Sequence, residues 1–215
     1  MSARTPKHLP ITSFETAACW LPEQEVQMLA LETENNRQPE RDAIIRERQN
    51  NVIARMEQDP ESAKSTIVTT GRIEEGLTCL VEQGKFSAIT DLGRGMGGDA
   101  AGPSPGFYAR AGIVGCVGMA IKMLAAREGL VFRKVTTTVE TDFDDGALFG
   151  IGTASAAPTE TRIIIEIESD EDSETIDQLV GLALEMDPWF LALRDAQMVW
   201  PKLSVTRPGL VELVG

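Results

Sequence analysis

The sequence predicts an α+β protein, and three observations carry that reading. A long apolar segment is bracketed by its own helix start and stop signals, two-residue alternation flanks it on both sides, and a shorter helical pattern follows near the C-terminal end. The long helix is predicted over Pro105–Glu128. Ser104 stands at the N-cap, Pro105 at the first helical position, where its missing N–H costs nothing, and Gly129 just beyond the end.

Before it, Thr66–Arg72, Leu77–Gln83 and Lys85–Thr90 are β-rich and separated by Glu75-Gly76 and Gly84, the pattern of a three-stranded meander. After it, Val131–Phe143 and Thr161–Glu168 alternate as two long strands. Val135, Thr137 and Val139 share one face of the first, and Ile163, Ile165 and Ile167 one face of the second. Asp144-Asp145-Gly146 is a turn signal at the head of the loop between them. Ser173 is placed as the cap of a helix over Glu174–Met186, Asp187-Pro188 breaks it and opens a short helical segment to Ala196, and Val199–Thr206 reads as a last strand. Upstream, a short helix is expected around Glu23–Thr33. An amphipathic one follows over Pro39–Glu57, with Pro39 in its first turn and Asp59-Pro60 at its end. Residues 1–64 are therefore read as a helical extension lying on the main domain, 65–215, or on a partner subunit.

Composition narrows function. The 215 residues hold 20 Lys plus Arg against 33 Asp plus Glu, a formal charge of −13 with no basic cluster, which disfavours nucleic acid. Met1–Pro10 lacks the apolar run of a secretory signal. Ala111–Ala126 is too short, and too interrupted by Lys122 and glycines, for an unaided membrane span, so a cytoplasmic protein is expected. Cys19, Cys79 and Cys116 form no CxxC and have no histidine nearby, which argues against a structural metal or a disulfide framework. The sole histidine, His8, is remote from every other candidate, so a Ser–His–Asp or Cys–His arrangement is disfavoured. Gly93-Arg94-Gly95-Met96-Gly97-Gly98 matches G-x-G-x-x-G formally. A dinucleotide site needs that turn to open directly into a helix, whereas here Asp99, Pro103 and Pro105 intervene, so no cofactor is expected.

Within the long helix Gly112, Gly115 and Gly118 together cost roughly 3 kcal/mol relative to alanine. That cost calls for compensation, most simply a second backbone packing closely. Cys116 lies among them, with Gly112, Ile113, Met119 and Ala120 on its face. On these residues alone it reads as inert core more readily than as a nucleophile. An unperturbed thiol is only about 3% ionised at pH 7, so chemistry would need a neighbouring cation, for which Arg72, Arg94 and Arg110 are the candidates.

Gly97-Gly98-Asp99-Ala100-Ala101-Gly102-Pro103-Ser104-Pro105, followed eleven residues later by Cys116 in Val114-Gly115-Cys116-Val117-Gly118-Met119, resembles the OsmC/Ohr (organic hydroperoxide resistance) signature. There a GG-x-x-x-GP-x-P loop leads into a helix carrying a peroxidatic cysteine. The resemblance covers about residues 65–206. It implies an OsmC-like fold of antiparallel sheets enclosing a long central helix, an intertwined homodimer, and shared active sites that reduce organic hydroperoxides. By that resemblance Cys116 is the nucleophile and Arg72 the stabiliser of its thiolate, with Phe107, Tyr108 and Trp189 as walls for an apolar substrate. The sequence departs from the pattern twice. The resolving cysteine before the helix-ending proline is replaced by Asp187, and the glutamate that pairs with the arginine falls on Gly106. Cys79 or an external thiol reductant would then have to resolve an oxidised Cys116. The other hypothesis is a non-catalytic dimeric protein that binds a small hydrophobic or anionic ligand.

Overall fold

The computed structural model describes residues 23–206, with side chains from residue 37 onward; His8 and Cys19 lie outside them. In order, the elements are α1 (Glu23–Gln58), a 3-10 turn (Pro60–Ala63), β1 (Thr70–Ile73), β2 (Cys79–Gln83), β3 (Phe86–Thr90) and a second 3-10 turn (Arg94–Met96). Then follow α2 (Pro105–Glu128), β4 (Phe132–Asp142), α3 (Asp145–Leu148), β5 (Glu160–Ser169), α4 (Ser173–Glu185) and α5 (Pro188–Arg194).

The central helix follows its local chemistry. The Ser104 hydroxyl accepts the Phe107 N–H at 3.2 Å, and Gly129 adopts the left-handed conformation (φ 81°) that closes the C-terminus. Val117, Ile121, Leu124 and Ala125 of α2 form the core with Phe132 of β4 and Leu179 and Ala183 of α4. The long hairpin β4–β5 lies over them, pairing Val135 with Ile167 and Val139 with Ile163. Its period of two turns Ile163, Ile165 and Ile167 inward and leaves Ile164, Glu166 and Glu168 outside. By length and composition α2 could cross a bilayer, but it packs against β4, α1, α4 and α5 as the core helix of the fold.

β1, β2 and β3 form an antiparallel meander, with Arg72 opposite Leu80 and Leu80 opposite Ile89. Gly84 (φ 57°) occupies the left-handed position of the two-residue turn between Gln83 and Phe86. This sheet makes no extensive contact with α2 of its own chain, and Ile73, Phe86 and Ile89 remain exposed on it.

Three expectations are corrected. The two N-terminal helices are one, because Pro39 sits inside α1 and does not start a helix. An interior proline costs about 3 kcal/mol, and docking onto α2 and β4 offsets it. Gln38 donates to the Phe132 carbonyl (2.7 Å), Arg46 Nε to the Ala126 carbonyl near the end of α2 (2.8 Å), and buried Asp42 faces Lys122 at 3.9 Å. Residues 199–206 form no strand, since Pro201 removes a ladder donor and no partner strand lies alongside. The caps of the later elements are also shifted by one residue or recast. Asp172, not Ser173, caps α4 through the Thr175 N–H (2.9 Å), and the turn expected at Asp144-Asp145-Gly146 is the single helical turn α3, opened by Asp144 accepting from Gly146 N (2.9 Å). Within one chain, no second backbone lies against the glycines of α2. A side chain on Gly118 would meet Thr137 Oγ1 at 3.3 Å, one on Gly115 only the tip of Met119, and one on Gly112 nothing within 4 Å.

Candidate functional site

The loop entering α2 is built on one carboxylate. Asp91, 2% exposed at the end of the meander, accepts from Thr78 Oγ1 (2.9 Å) and from the backbone N–H groups of Leu92 (2.7 Å), Asp99 (3.1 Å) and Ala101 (3.1 Å). Two glycines allow the closure. A Cβ on Gly98 would fall 2.1 Å from the Leu92 carbonyl oxygen, and one on Gly102 2.4 Å from that of Ile89. The Pro103 carbonyl takes bonds from Thr90 Oγ1 (2.9 Å) and Asp91 N (3.2 Å), which aims Ser104 at the start of α2. The glycine-rich run is thus a tightly folded bridge between sheet and helix. The role of Asp91 was not legible, because its partners span both sides of it in sequence.

The Ala101 N–H, followed by the Thr78 hydroxyl and the other amides, holds the Asp91 carboxyl below the usual carboxylate range against the opposing effect of burial. A lowered folded value means that its contribution is fully present above the unfolded value, near pH 4, and is lost as pH falls through the folded one. Asp91→Asn is therefore expected to lower the melting temperature at pH 7 and to narrow its gap from the parent below pH 4. A constant gap across acid melts would refute that role.

Cys116 sits half-buried in the middle of α2. Burial first, then a hydrogen-bonding interaction with the Asp187 carboxylate and the charge of that carboxylate, push the thiol up to about 11; the Trp189 N–H partly opposes them. Asp187 itself is 0% exposed. Its Oδ1 accepts the Phe190 N–H at 2.7 Å and so caps α5, while Oδ2 has no hydrogen bond of standard geometry. Asp187 does terminate one helix and start the next, as expected, and it also lies against the thiol.

Tyr108, Gly112, Ile113, Trp189, Leu193 and Gln197 line a largely apolar groove of about 450 Å³ between α2 and α5. Gly112 and Ile113 stand one turn before Cys116 on its own face, and Trp189 contributes both a groove wall and the amide directed at the sulfur. A larger cleft of about 570 Å³, between α5 and Pro158–Thr161, contains no residue of α2.

The remaining candidates lie elsewhere. Phe107 packs edge-on against Tyr108 (centroids 5.5 Å) and is 52% exposed, outside the groove. Arg72 on β1 pairs with Glu74 at 3.3 Å, both exposed, and lines a shallow surface depression with Thr78 and Leu80. Arg94 lies in the exposed turn after β3, and Arg110 folds back over Gly106. No arginine of the described residues acts on the Cys116 thiol. Cys79 is on β2 against Gly71, in the sheet that leaves α2. Among the described residues no group of three or more His, Cys, Asp or Glu side chains is placed to hold a metal ion.

Comparison with known proteins agrees with this architecture. No curated protein sequence matches the chain. Among solved structures, an OsmC-like protein from Mycoplasma pneumoniae is 15% identical with a TM-score of 0.52, over 61% of this chain and 89% of that one. An organic hydroperoxide resistance protein from Legionella pneumophila is 18% identical with a TM-score of 0.41, over 60% and 90%. OhrB of Bacillus subtilis is likewise 18% identical with a TM-score of 0.41, over 60% and 91%. The OsmC-like protein family model matches residues 97–199, a span that starts in the Asp91-organised loop and takes in Cys116, Asp187 and the whole groove. Residues 97–199 thus form a segment similar to the OsmC-like protein family, within a chain of OsmC-like fold.

Proposed function

We propose that this OsmC-fold protein binds a small, predominantly apolar molecule in the groove beside Cys116, in a cytoplasmic homodimer whose 65–215 domain carries residues 1–64 as an extension. The observation that carries the reading is the groove itself: apolar walls, a glycine floor, and a thiol pushed up to about 11 at its side. A thiol so placed is ionised to about one part in 10,000 at pH 7. That is the opposite of the electropositive setting a peroxidatic cysteine needs.

The floor provides the test. Gly112 has nothing within 4 Å of an added Cβ, so Gly112→Leu fills the groove without a backbone clash and removes a helix-interior glycine worth about 1 kcal/mol. Calorimetric titration with 1-nonanol is expected to show at least tenfold weaker binding by this variant, with a melting temperature equal to the parent's or higher. Equal binding by both proteins would count against the groove.

A second reading, one-cysteine reduction of organic hydroperoxides with an external thiol, is favoured by the position of Arg72. It stands on a sheet that makes no extensive contact with its own α2 and leaves Ile73 and Ile89 open, as strands destined for a second copy would. A guanidinium delivered from that copy would oppose the Asp187 charge at Cys116. Consumption of an alkyl hydroperoxide by the parent with a dithiol, absent in Cys116→Ser and Arg72→Ala, would establish this reading; equal background rates in all three would dismiss it.

A further inference from the structure

We propose that Asp187 is the base of a Cys116–Asp187 pair that adds the thiol across the double bond of an apolar α,β-unsaturated aldehyde or ketone held in the groove. The inference rests on the groove-binding reading above. Three features of the site lead to it. Asp187 is 0% exposed, and its orientation is set by the bond from Phe190 N to Oδ1 at 2.7 Å. Its Oδ2 is left without another hydrogen-bond partner, and the Cys116 thiol is the group on which this carboxylate acts. A buried carboxylate oxygen with no donor is costly. Finally, the apolar groove is lined by Gly112 and Ile113, one turn before Cys116 on its helix face, and by Trp189, two residues after Asp187.

A thiol that ionises only near pH 11 reacts poorly through free thiolate at neutral pH, yet its sulfur is a strong nucleophile once the proton leaves. A base that takes the proton as the bond forms removes that obstacle. The S–H proton passes to Asp187 Oδ2 while the sulfur pair forms a bond to the β-carbon. The π electrons move onto the carbonyl oxygen as an enolate, and the enolate recovers the proton at its α-carbon, restoring the carboxylate. The net change is addition of S–H across C=C, and it needs no oxidant and no resolving thiol. That fits a site in which Asp187 stands where a second cysteine would be required for disulfide chemistry.

The full-length protein, incubated with trans-2-nonenal from pH 6 to 9, is analysed by mass spectrometry of the Cys116 and Cys79 peptides. Cys116 is expected to be modified faster than Cys79, with a rate that rises much less than tenfold per pH unit. Asp187→Asn is expected to slow the Cys116 adduct at pH 7 by about 100-fold, the scale of a lost general base, and to restore the steep pH dependence of a free thiol. Asp187→Ser, which keeps a helix-capping oxygen without a base, guards against a folding artefact and should behave alike. Faster modification in either variant would show that the carboxylate merely restrains the thiol, and would overturn the proposal; so would a Cys116 no faster than Cys79. Calorimetry with 1-nonanol separates the two readings. Nonanol binding retained while Asp187→Asn adds nonenal at the parental rate overturns the pair alone. Asp187-dependent addition without nonanol binding overturns the groove reading and leaves the pair.

Discussion

Gly98→Ala is expected to destabilise the protein by about 3 kcal/mol or more, near or above the upper end of ordinary overpacking. The new methyl would lie 2.1 Å from the Leu92 carbonyl oxygen and 2.6 Å from its carbon. Both are backbone atoms, tied through Asp91 to three amides and a hydroxyl. No rotamer change can relieve the clash, so the loop must open and release those bonds. For a chain of this size each kcal/mol moves the melting temperature by about 2–4 °C, which puts the expected drop at roughly 6–12 °C. Gly95→Ala, three residues earlier, is the matched control because nothing stands within 4 Å of its Cβ. Thermal melts of the two variants within a degree of each other would show that the bridge does not depend on Gly98.

The second large effect is at Phe132, the largest fully buried side chain, with 0% exposure. It plugs the space between Ile121 and Leu124 of α2 and Leu179 of α4. Truncation to alanine removes a ring from a site packed by α2 and α4, which cannot both collapse onto the gap, and a loss of about 3–5 kcal/mol is expected. The Phe132 carbonyl, which accepts from Gln38 and Lys122, is backbone and survives the substitution. The effect therefore reports packing alone. A urea midpoint that shifts in proportion, with an unchanged slope, is the expected signature. Phe86→Ala, at a ring 68% exposed on the meander, should shift it by a few tenths of a kcal/mol in the isolated chain.

What could be read from sequence was what local chemistry decides. The bounds of α2 follow from Ser104, Pro105 and Gly129, each acting within a turn of its own position, and they stand where expected. The β4–β5 pair was legible because each strand states its inward face in its own alternation. Long-range partners were not legible. Val199–Thr206 alternates like a strand, but alternation cannot supply the ladder. Pro39 reads as a start because its cost is local, whereas the bonds from Gln38 and Arg46 that offset it reach residues 94 and 80 positions away. The site divides in the same manner. Cys116 and its loop could be singled out as a motif, while the contact that defines the thiol's state, Asp187, comes from an element beyond the intervening hairpin.

The docking of α1 also sets an order of events in time. The helix leaves the ribosome before its partners, since the carbonyls that Gln38 and Arg46 bind belong to residues made 94 and 80 positions later. At ordinary synthesis rates that is a wait of roughly 5–20 s. In solution the helix would form and melt on the microsecond scale, so it samples its folded shape many times before a surface exists to hold it. A segment made before its partners thus waits for them to be fixed, and a nascent chain halted before residue 126 should leave α1 open to protease while one extended past β5 protects it.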